Sequence, residues 1–316
     1  MLAISERPRW SVMIPSYNCA TYLEQCLLSI LQQDPGESMM QIEVVDDRSI
    51  ADDPEEVVKR VGKGRVSFYR QPVNVGATRN FNTCVERAKG ELVHILHGDD
   101  WVRNGFYDVV SNAFITFPEI GIAITGCSHY DEKGNFKHAA PAIPGLLSPS
   151  NKIEDFLYSN PIRPAATVIK KKVYESIGAF DDSFFHCADW DMWVRAISNS
   201  WGLYIPKDLG CYRVFKENDT SKLILKAENI RDYEKLYYKF KKNGYPITDK
   251  KISLALKEIF LHQYANMKEL KLKKSISIYK REMHKYLTVS ERVKLIKQEL
   301  VQKIKPFLPV YRFKKT

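Results

Sequence analysis

The chain has 316 residues, enough for one large domain with an appendage or for two domains. Hydrophobic residues make up 44% and charged residues 27%, a balance that excludes a disordered chain and is typical of a globular protein. The net charge is +10, and the excess of Lys and Arg is concentrated in the last quarter of the chain.

Several targeting and metal-binding signals are absent from the sequence. No stretch approaches the roughly 18 uninterrupted apolar residues of a membrane-spanning helix, and the N-terminus has no apolar core of a signal peptide. The six cysteines are scattered without a C-x-x-C pair, which argues against a zinc site or a disulfide framework. These observations predict a cytoplasmic protein.

Up to residue 96 the chain alternates between short apolar runs, which predict strands, and apolar residues at helical spacing. The predicted strands are 10–14, 42–45, 66–71 and 92–96, and the predicted helices between them are 21–33, 54–62 and 77–89. This order is typical of a parallel sheet with helices on both faces. In such sheets, ligands bind beyond the carboxyl ends of the strands.

Paired carboxylates follow two of these strands. Asp46 and Asp47 end the second strand, and Asp99 and Asp100 end the fourth. Adjacent carboxylates at the end of a buried strand repel each other and need water or a partner, and a hard divalent cation is one such partner. Each pair taken alone is better explained by a solvated turn or a helix cap. Because Pro15 ends the first strand at the same edge, three loops are expected to meet in one crevice, which favours a ligand site.

The second half of the chain continues the alternation. The predicted elements are a helix at 106–117, a strand at 120–127, a polar hairpin around 131–135, a helix at 153–160, a strand running into a helix within 161–180 and an amphipathic helix at 186–199. Residues 202–215 predict an antiparallel strand pair or an edge strand. Charged amphipathic segments fill residues 225–301.

Other charged residues have two interpretations each. Asp189 and Asp191, two apart on a helix, point to different faces, so one can act as a general base in a cleft while the other supports the helix or pairs with Arg195. The alternative is an ordinary acid-rich helix N-terminus. Arg79 is explained by a phosphate or base contact or by a surface salt bridge. Packing or surface positions are predicted for His97, His129, His138 and His186, which lack ligand spacing.

Taken together, these stretches resemble the family 2 glycosyltransferases, inverting enzymes of the GT-A fold. The resemblance covers roughly residues 10–215 and depends on an ordered series: SVMIPSYN, IEVVDDRS, NVGATRN, AKGELVHILHGDDW, VIKKKVYESIGAFDDSF, ADWDMWVRA and the CYRVF strand. It implies an α/β fold with a Rossmann-like, mixed, mostly parallel sheet. The expected organisation is a GT-A domain over residues 1–224 and a basic, mainly helical C-terminal region over residues 225–316.

The resemblance also implies roles for individual residues. Nucleotide-sugar binding would fall to Pro15, Tyr17, Asp47, Arg79 and Asp99. Asp47 among them would bind the base, and Asp99 would lie beside the sugar. Asp100 would hold Mg²⁺ or Mn²⁺ bridging the diphosphate. Asp189 would be the general base that deprotonates an acceptor hydroxyl.

These assignments imply a metal-dependent, inverting glycosyltransferase. It would move a sugar from a nucleoside-diphosphate sugar, most often a UDP-sugar, to a hydroxyl of a glycan or lipid-linked acceptor in bacterial surface polysaccharide synthesis. The absence of a Q-x-x-R-W motif argues against a processive synthase. A nucleotidyltransferase-like protein and a catalytically inactive nucleotide-sugar-binding protein are the alternatives.

Residues 271–287 and 301–316 combine Lys and Arg with Ile, Leu, Phe and Tyr. Such segments can lie on an anionic membrane surface, and the tail 307–316 is the strongest candidate for this contact. This would place the protein peripherally on the inner face of the cytoplasmic membrane. A solvated helical subdomain is the alternative. Because the predicted site loops are acidic, no nucleic-acid partner is expected.

Overall fold

A computed structural model of the protein describes residues 7–143, 145–147, 153–215 and 218–304. The predicted membrane-contact tail 307–316 lies outside these residues. The strands are β1 (Trp10–Ser16), β2 (Met40–Asp46), β3 (Ser67–Arg70), β4 (Leu92–Ile95), β5 (Trp101–Val102), β6 (Ile120–Tyr130), β7 (Phe136–Ala139), β8 (Leu146–Leu147), β9 (Thr167–Lys170) and β10 (Trp201–Arg213).

Helices lie between and after these strands. They are α1 (Ala20–Leu31), α2 (Pro54–Gly62), α3 (Ala77–Arg87), α4 (Phe106–Thr116), α5 (Ile153–Leu157), α6 (Lys171–Ile177), α7 (Ala188–Asn199), α8 (Asp219–Lys226), α9 (Ile230–Lys242), α10 (Asp249–Glu269), α11 (Lys273–His284) and α12 (Val289–Ile304). Among the described residues, no helix combines the length and the apolar character needed to cross a bilayer.

All ten strands form one mixed sheet, in the order β3-β2-β1-β4-β9-β6-β10-β5, with β7 beside β6 and β8 beside β10. Strands β3, β2, β1 and β4 run parallel to one another, and β6 runs parallel to β10. Strand β9 runs antiparallel between β4 and β6. This mixed, mostly parallel sheet with helices confirms the predicted α/β architecture.

The prediction of a strand pair at residues 202–215 is wrong. One long strand, β10, runs through this stretch, parallel to β6 and antiparallel to the short strands β5 and β8. Its pairing with β6 shifts register between Ile205 and Asp208 and again before Gly210. Pro206 has no N–H to donate and is tolerated in a strand at such a bulge. The polar interruption that looks like a turn in the sequence is therefore a bulge.

The central strands are held by apolar burial. All seven residues of β1 are buried, and Trp10, Val12 and Ile14 share one apolar core with Leu23, Leu27 and Ile30 of α1, each of which is fully buried. Burial of one such side chain contributes roughly 1.5–3 kcal/mol. At the start of β4, a Cβ on Gly90 would lie 2.4 Å from the carbonyl carbon of Trp10, so only glycine lets the two strands enter the sheet side by side.

Contacts divide the chain into two compact units. The first unit comprises Met1–Leu223 and Glu228–Ile247, so it includes the whole sheet and α9. The second comprises Ile224–Ala227 and Thr248–Thr316. The second unit has its own buried aromatic residues, and the hydroxyl of Tyr279 donates to the carbonyl of Ile224 at 2.7 Å.

Candidate active site

A cavity of about 510 Å³ opens at the carboxyl ends of β1, β2 and β4, where three loops were expected to meet. Its lining side chains come from two stretches of the chain. The first stretch supplies Pro15, Ser16, Tyr17, Asn18, Cys19, Asp47, Asn74, Gly76, Ala77, Thr78, Asn80, Phe81, His97, Gly98 and Asp99. The second supplies Phe185, His186, Ala188, Asp189, Tyr212, Phe215, Asn218, Thr220 and Lys222.

Close packing brings the loops after β1 and β4 together. The N–H of Gly98 donates to the carbonyl of Pro15 at 3.1 Å. A Cβ on Gly98 would lie 2.8 Å from the Sγ of Cys19, so a larger residue would separate the two loops. Tyr17 lies beside Pro15 at the cavity with its side chain partly exposed to solvent.

The two carboxylates after β2 have different environments, because successive strand residues point to opposite faces. Asp46 is fully buried and is bonded to Ser49 and Arg70. Asp47 lines the cavity, and its two carboxylate oxygens accept the N–H groups of Val75 at 2.7 Å and Gly76 at 2.9 Å. Since a carboxylate has about four acceptor positions, Asp47 can hold this loop and also accept an N–H from a ligand.

The loop after β4 groups His97, Asp99 and Asp100, whose ligand atoms all lie within 4.8 Å of one another. Asp100 is 1% exposed and lies behind the cavity lining. Its Oδ1 accepts the N–H of Arg213 at 2.8 Å, while its Oδ2 is buried with no hydrogen-bond partner in the part of the chain that the structure describes. A buried carboxylate oxygen without a donor is costly, and carboxylate ligands suit Mg²⁺ and Mn²⁺. The residues present therefore fit a divalent cation.

Burial shifts the pKa values of Asp100 and His97. It raises the pKa of Asp100 well above the usual range, and the negative charge of Asp99 adds to the effect. Burial also lowers the pKa of His97 to about 4, so the imidazole is neutral near pH 7. His97 was expected to be a packing or surface residue, and its ring does stack on that of Phe81; the structure also places it with the two carboxylates. The signal available in the sequence is its position three residues before Asp100.

Arg213, at the end of β10, fixes this loop and was missed by the sequence analysis. Its guanidinium lies 4.6 Å from the ring centroid of Tyr22 and 4.7 Å from that of Trp101. Its Nε donates to the carbonyl of Asp99 at 2.9 Å, while its backbone N–H binds Asp100. Cation–π contacts and charged hydrogen bonds together hold the acidic loop in place.

Asp189 is the second residue of α7 and projects into the cavity. Its Oδ1 accepts the N–H of Trp190 at 2.7 Å, and its Oδ2 accepts from the side-chain amide of Asn160 at 3.2 Å. Burial raises the pKa of Asp189, which makes the carboxylate a stronger base. Asp191 points the other way, fully buried, with its carboxylate 2.8 Å from the Nε of Arg195.

Arg79 does not line the cavity. Its side chain is 65% exposed, and its Nε lies 2.8 Å from Asp182 in a surface ion pair. Exposed pairs of this kind contribute at most about 1 kcal/mol. To contact a nucleotide, Arg79 would have to leave Asp182.

The family model of glycosyl transferase family 2 matches residues 11–177 of the chain. A Campylobacter jejuni protein, GalNAc(5)-diNAcBac-PP-undecaprenol beta-1,3-glucosyltransferase, is 27% identical over 218 residues. The match covers 68% of this chain and 67% of that protein.

Solved structures share the architecture. The S. aureus TarS 1-349 complex with UDP-GlcNAc superposes with a TM-score of 0.64 at 16% identity, over 88% of this chain and 79% of that one. The mannosyltransferase PcManGT from Pyrobaculum calidifontis, solved with GDP-Man and Mn²⁺, gives a TM-score of 0.57 at 16% identity, over 95% and 82%. At this level of identity the likeness shows the fold, which is the GT-A fold.

Proposed function

The chain belongs to glycosyl transferase family 2, and we propose that it moves a sugar from a nucleoside-diphosphate sugar, most often a UDP-sugar, to a hydroxyl of a glycan or lipid-linked acceptor. One observation carries the proposal: Asp47, Asp99 and Asp189 all line a single cavity. These three carboxylates come from distant parts of the chain. We further propose a non-processive enzyme of bacterial surface polysaccharide synthesis. The name of the Campylobacter jejuni relative contains a PP-undecaprenol-linked glycan, which supports the lipid-linked acceptor.

The first stretch of lining residues would hold the donor. Pro15 and Tyr17 would flank the nucleotide, and Asp47 would accept an N–H from the base. Asp47 is buried and fixed by two backbone N–H groups, so its carboxylate would meet the base in one orientation. The UDP-GlcNAc complex of TarS supports a uridine donor.

Asp100, Asp99 and His97 would hold Mg²⁺ or Mn²⁺. When bound, the cation would offset the charge of the diphosphate and stabilise it as a leaving group. Arg213 would keep the two carboxylates in place for this role.

Asp189 would act on the acceptor. As the new bond forms between the acceptor oxygen and the anomeric carbon, the hydroxyl proton passes to the Asp189 carboxylate. The bond between that carbon and the diphosphate oxygen breaks, and the nucleoside diphosphate leaves with the electron pair. A single in-line displacement of this kind inverts the configuration of the anomeric carbon. The raised pKa of Asp189 favours the proton transfer.

A thermal-shift panel tests the proposed donor class. We expect UDP to raise the melting temperature in the presence of Mn²⁺ and to have a smaller effect with EDTA, because ligands that bind only the folded state stabilise it. GDP, dTDP and CMP serve as controls. Stabilisation by none of the four would contradict a transferase, whereas stabilisation by UDP without any turnover would favour the inactive alternative.

We also propose that the C-terminal region rests on the anionic inner face of the cytoplasmic membrane. In α12, Val289, Val293 and Ile296 are exposed at helical spacing, so they form one apolar stripe. Basic neighbours in the helix, Arg292, Lys294 and Lys297, are also exposed. This pattern fits an amphipathic helix at a lipid surface.

Liposome co-sedimentation tests the membrane proposal. The protein is expected to pellet with vesicles rich in phosphatidylglycerol and to be released at high salt, since charges are screened within about 3 Å at 1 M. The double change Val293→Asp and Ile296→Asp is expected to reduce binding by about 10-fold or more, because two apolar contacts are lost. Tyr238→Asp, at an exposed site of α9, is the matched control. Equal binding of both variants would contradict the role of α12.

A further inference from the structure

A buried carboxylate on α9 holds the turn that precedes Asp189. Asp232 is 5% exposed, and its Oδ2 accepts three successive backbone N–H groups. The donors are Phe185 at 2.7 Å, His186 at 2.5 Å and Cys187 at 3.2 Å. Successive N–H groups that converge on one point form a concave anion site, and here the protein supplies its own anion.

The turn leads directly into the helix that carries Asp189. Cys187 is the N-cap of α7, and its carbonyl accepts the N–H of Asp191. The residue after Asp232 also contributes, since the hydroxyl of Tyr233 lies 2.9 Å from the Nε2 of His186. Two neighbouring side chains of α9, Asp232 and Tyr233, therefore contact the turn 185–187, which leads into α7.

The energetics of this contact favour a rigid turn. Hydrogen bonds to a charged acceptor are roughly twice as strong as neutral ones. Without the carboxylate, three backbone N–H groups of a turn that ends at the buried Cys187 would lose their acceptor, and the turn would have to rearrange to satisfy them. The carboxylate also places a negative charge near the positive end of the α7 dipole.

A separate contact keeps α9 in place. The Nζ of Lys239 lies 2.7 Å from Asp191 and 2.8 Å from Asp181, and Tyr237 and Phe240 are buried on the same helix. Removing the charge of Asp232 therefore leaves the other attachments of α9 intact. The expected effect is confined to the turn 185–187 and the residues that follow it.

We propose that Asp232 is a positioning residue for the transfer reaction, which fixes the turn 185–187 and so places the Asp189 carboxylate against the acceptor hydroxyl. This inference rests on the proposed function. Asp232 lies beyond the 11–177 range that the family model matches, yet α9 belongs to the same compact unit as the sheet. The catalytic unit thus includes a helix that the family match does not cover.

The test compares Asp232→Asn and Asp232→Ala with Asp108→Asn, which changes an exposed aspartate in the first turn of α4. The first readout is amide hydrogen exchange in the peptide that contains residues 185–187, which needs no substrate. We expect this exchange to be faster in both Asp232 variants than in the wild type. The second is hydrolysis of a sugar donor that carries the nucleotide chosen by the thermal-shift panel, with water as the acceptor. We expect kcat to fall on the order of 100-fold for the alanine variant, because small misplacements of a catalytic group cost about this much.

The asparagine variant keeps one oxygen acceptor and is expected to fall between the alanine variant and the wild type. Donor KM is expected to stay within about twofold of wild type, because the donor-side residues are untouched. Unchanged hydrogen exchange, unchanged kcat, or an equal loss of donor binding would each overturn the positioning role. A wild-type protein that binds no nucleotide would overturn the proposed function instead, while the exchange experiment would still test whether Asp232 holds the turn.

Discussion

Asp189→Asn is expected to lower sugar transfer by about 10²–10⁴-fold, the range that a general base contributes. The amide has nearly the shape of the carboxylate, and its single oxygen can still accept the N–H of Trp190, but it cannot take a proton from the acceptor. Binding of the nucleotide is expected to persist. The measurements are steady-state transfer from the donor selected by the nucleotide panel, and the thermal shift that this donor produces.

The pH dependence offers an independent check on Asp189. Because burial raises its pKa, the wild-type rate is expected to fall as the pH drops through a value above that of an ordinary aspartate, and the asparagine variant is expected to lack this limb. A raised pKa also means that the ionised carboxylate opposes folding above that pH. The variant is therefore expected to melt at the wild-type temperature or higher at pH 7. Wild-type transfer by the variant would rule out Asp189 as the base.

Asp100→Asn is expected to weaken the binding of Mn²⁺ in the presence of UDP on the order of 100-fold or more, because changes merely adjacent to metal ligands already cost 10–100-fold. The amide oxygen can keep the bond to the backbone N–H of Arg213, so the loop should retain its shape. The lost feature is the carboxylate oxygen Oδ2, which is buried, has no hydrogen-bond partner among the described residues and would ligate the cation. Isothermal titration of Mn²⁺ into the UDP-bound protein measures the effect without requiring turnover.

Two further measurements make the Asp100 result specific. Asp108→Asn removes a carboxylate from an exposed helix end and is expected to leave Mn²⁺ affinity unchanged. UDP binding in EDTA is expected to be similar in wild type and Asp100→Asn, since Asp47 and Tyr17 are unaltered. Wild-type Mn²⁺ affinity in the variant would mean that the cation is held elsewhere.

The strand ends were predictable because their signals are local. Apolar runs gave β1, β2 and β4, and their polar ends identified the edge where the cavity lies. Which of Asp46 and Asp47 lines the cavity could not be predicted without the fold. The alternation of side chains along a strand places the two on opposite faces, but it does not identify the face that meets a ligand. The bulge in β10 was mistaken for a turn because both interrupt an apolar pattern in the same way.

The supporting residues could not be predicted because their partners are distant in sequence. The hydrogen bond between Arg213 and Asp99 joins residues 114 positions apart in the sequence, and the one between Asp232 and Phe185 joins residues 47 positions apart. No spacing rule connects residues so far apart. His97 is a different case, because it is close to Asp100 in sequence but matches no metal-ligand spacing, and only the bend of the loop after β4 groups the two.

The cavity has a consequence for how enzymes of this kind can diversify. Its lining residues occupy two separate stretches of the chain, one ending at Asp99 and the other starting at Phe185. A genetic crossover between relatives that falls within α4 or β6 would exchange the second stretch as a block and leave the first intact. Such a recombinant would inherit Asp189 together with Asp232, its partner on α9, from one parent. With the proposed roles, acceptor preference would then change in one step, while the residues proposed to bind the donor would come from the other parent.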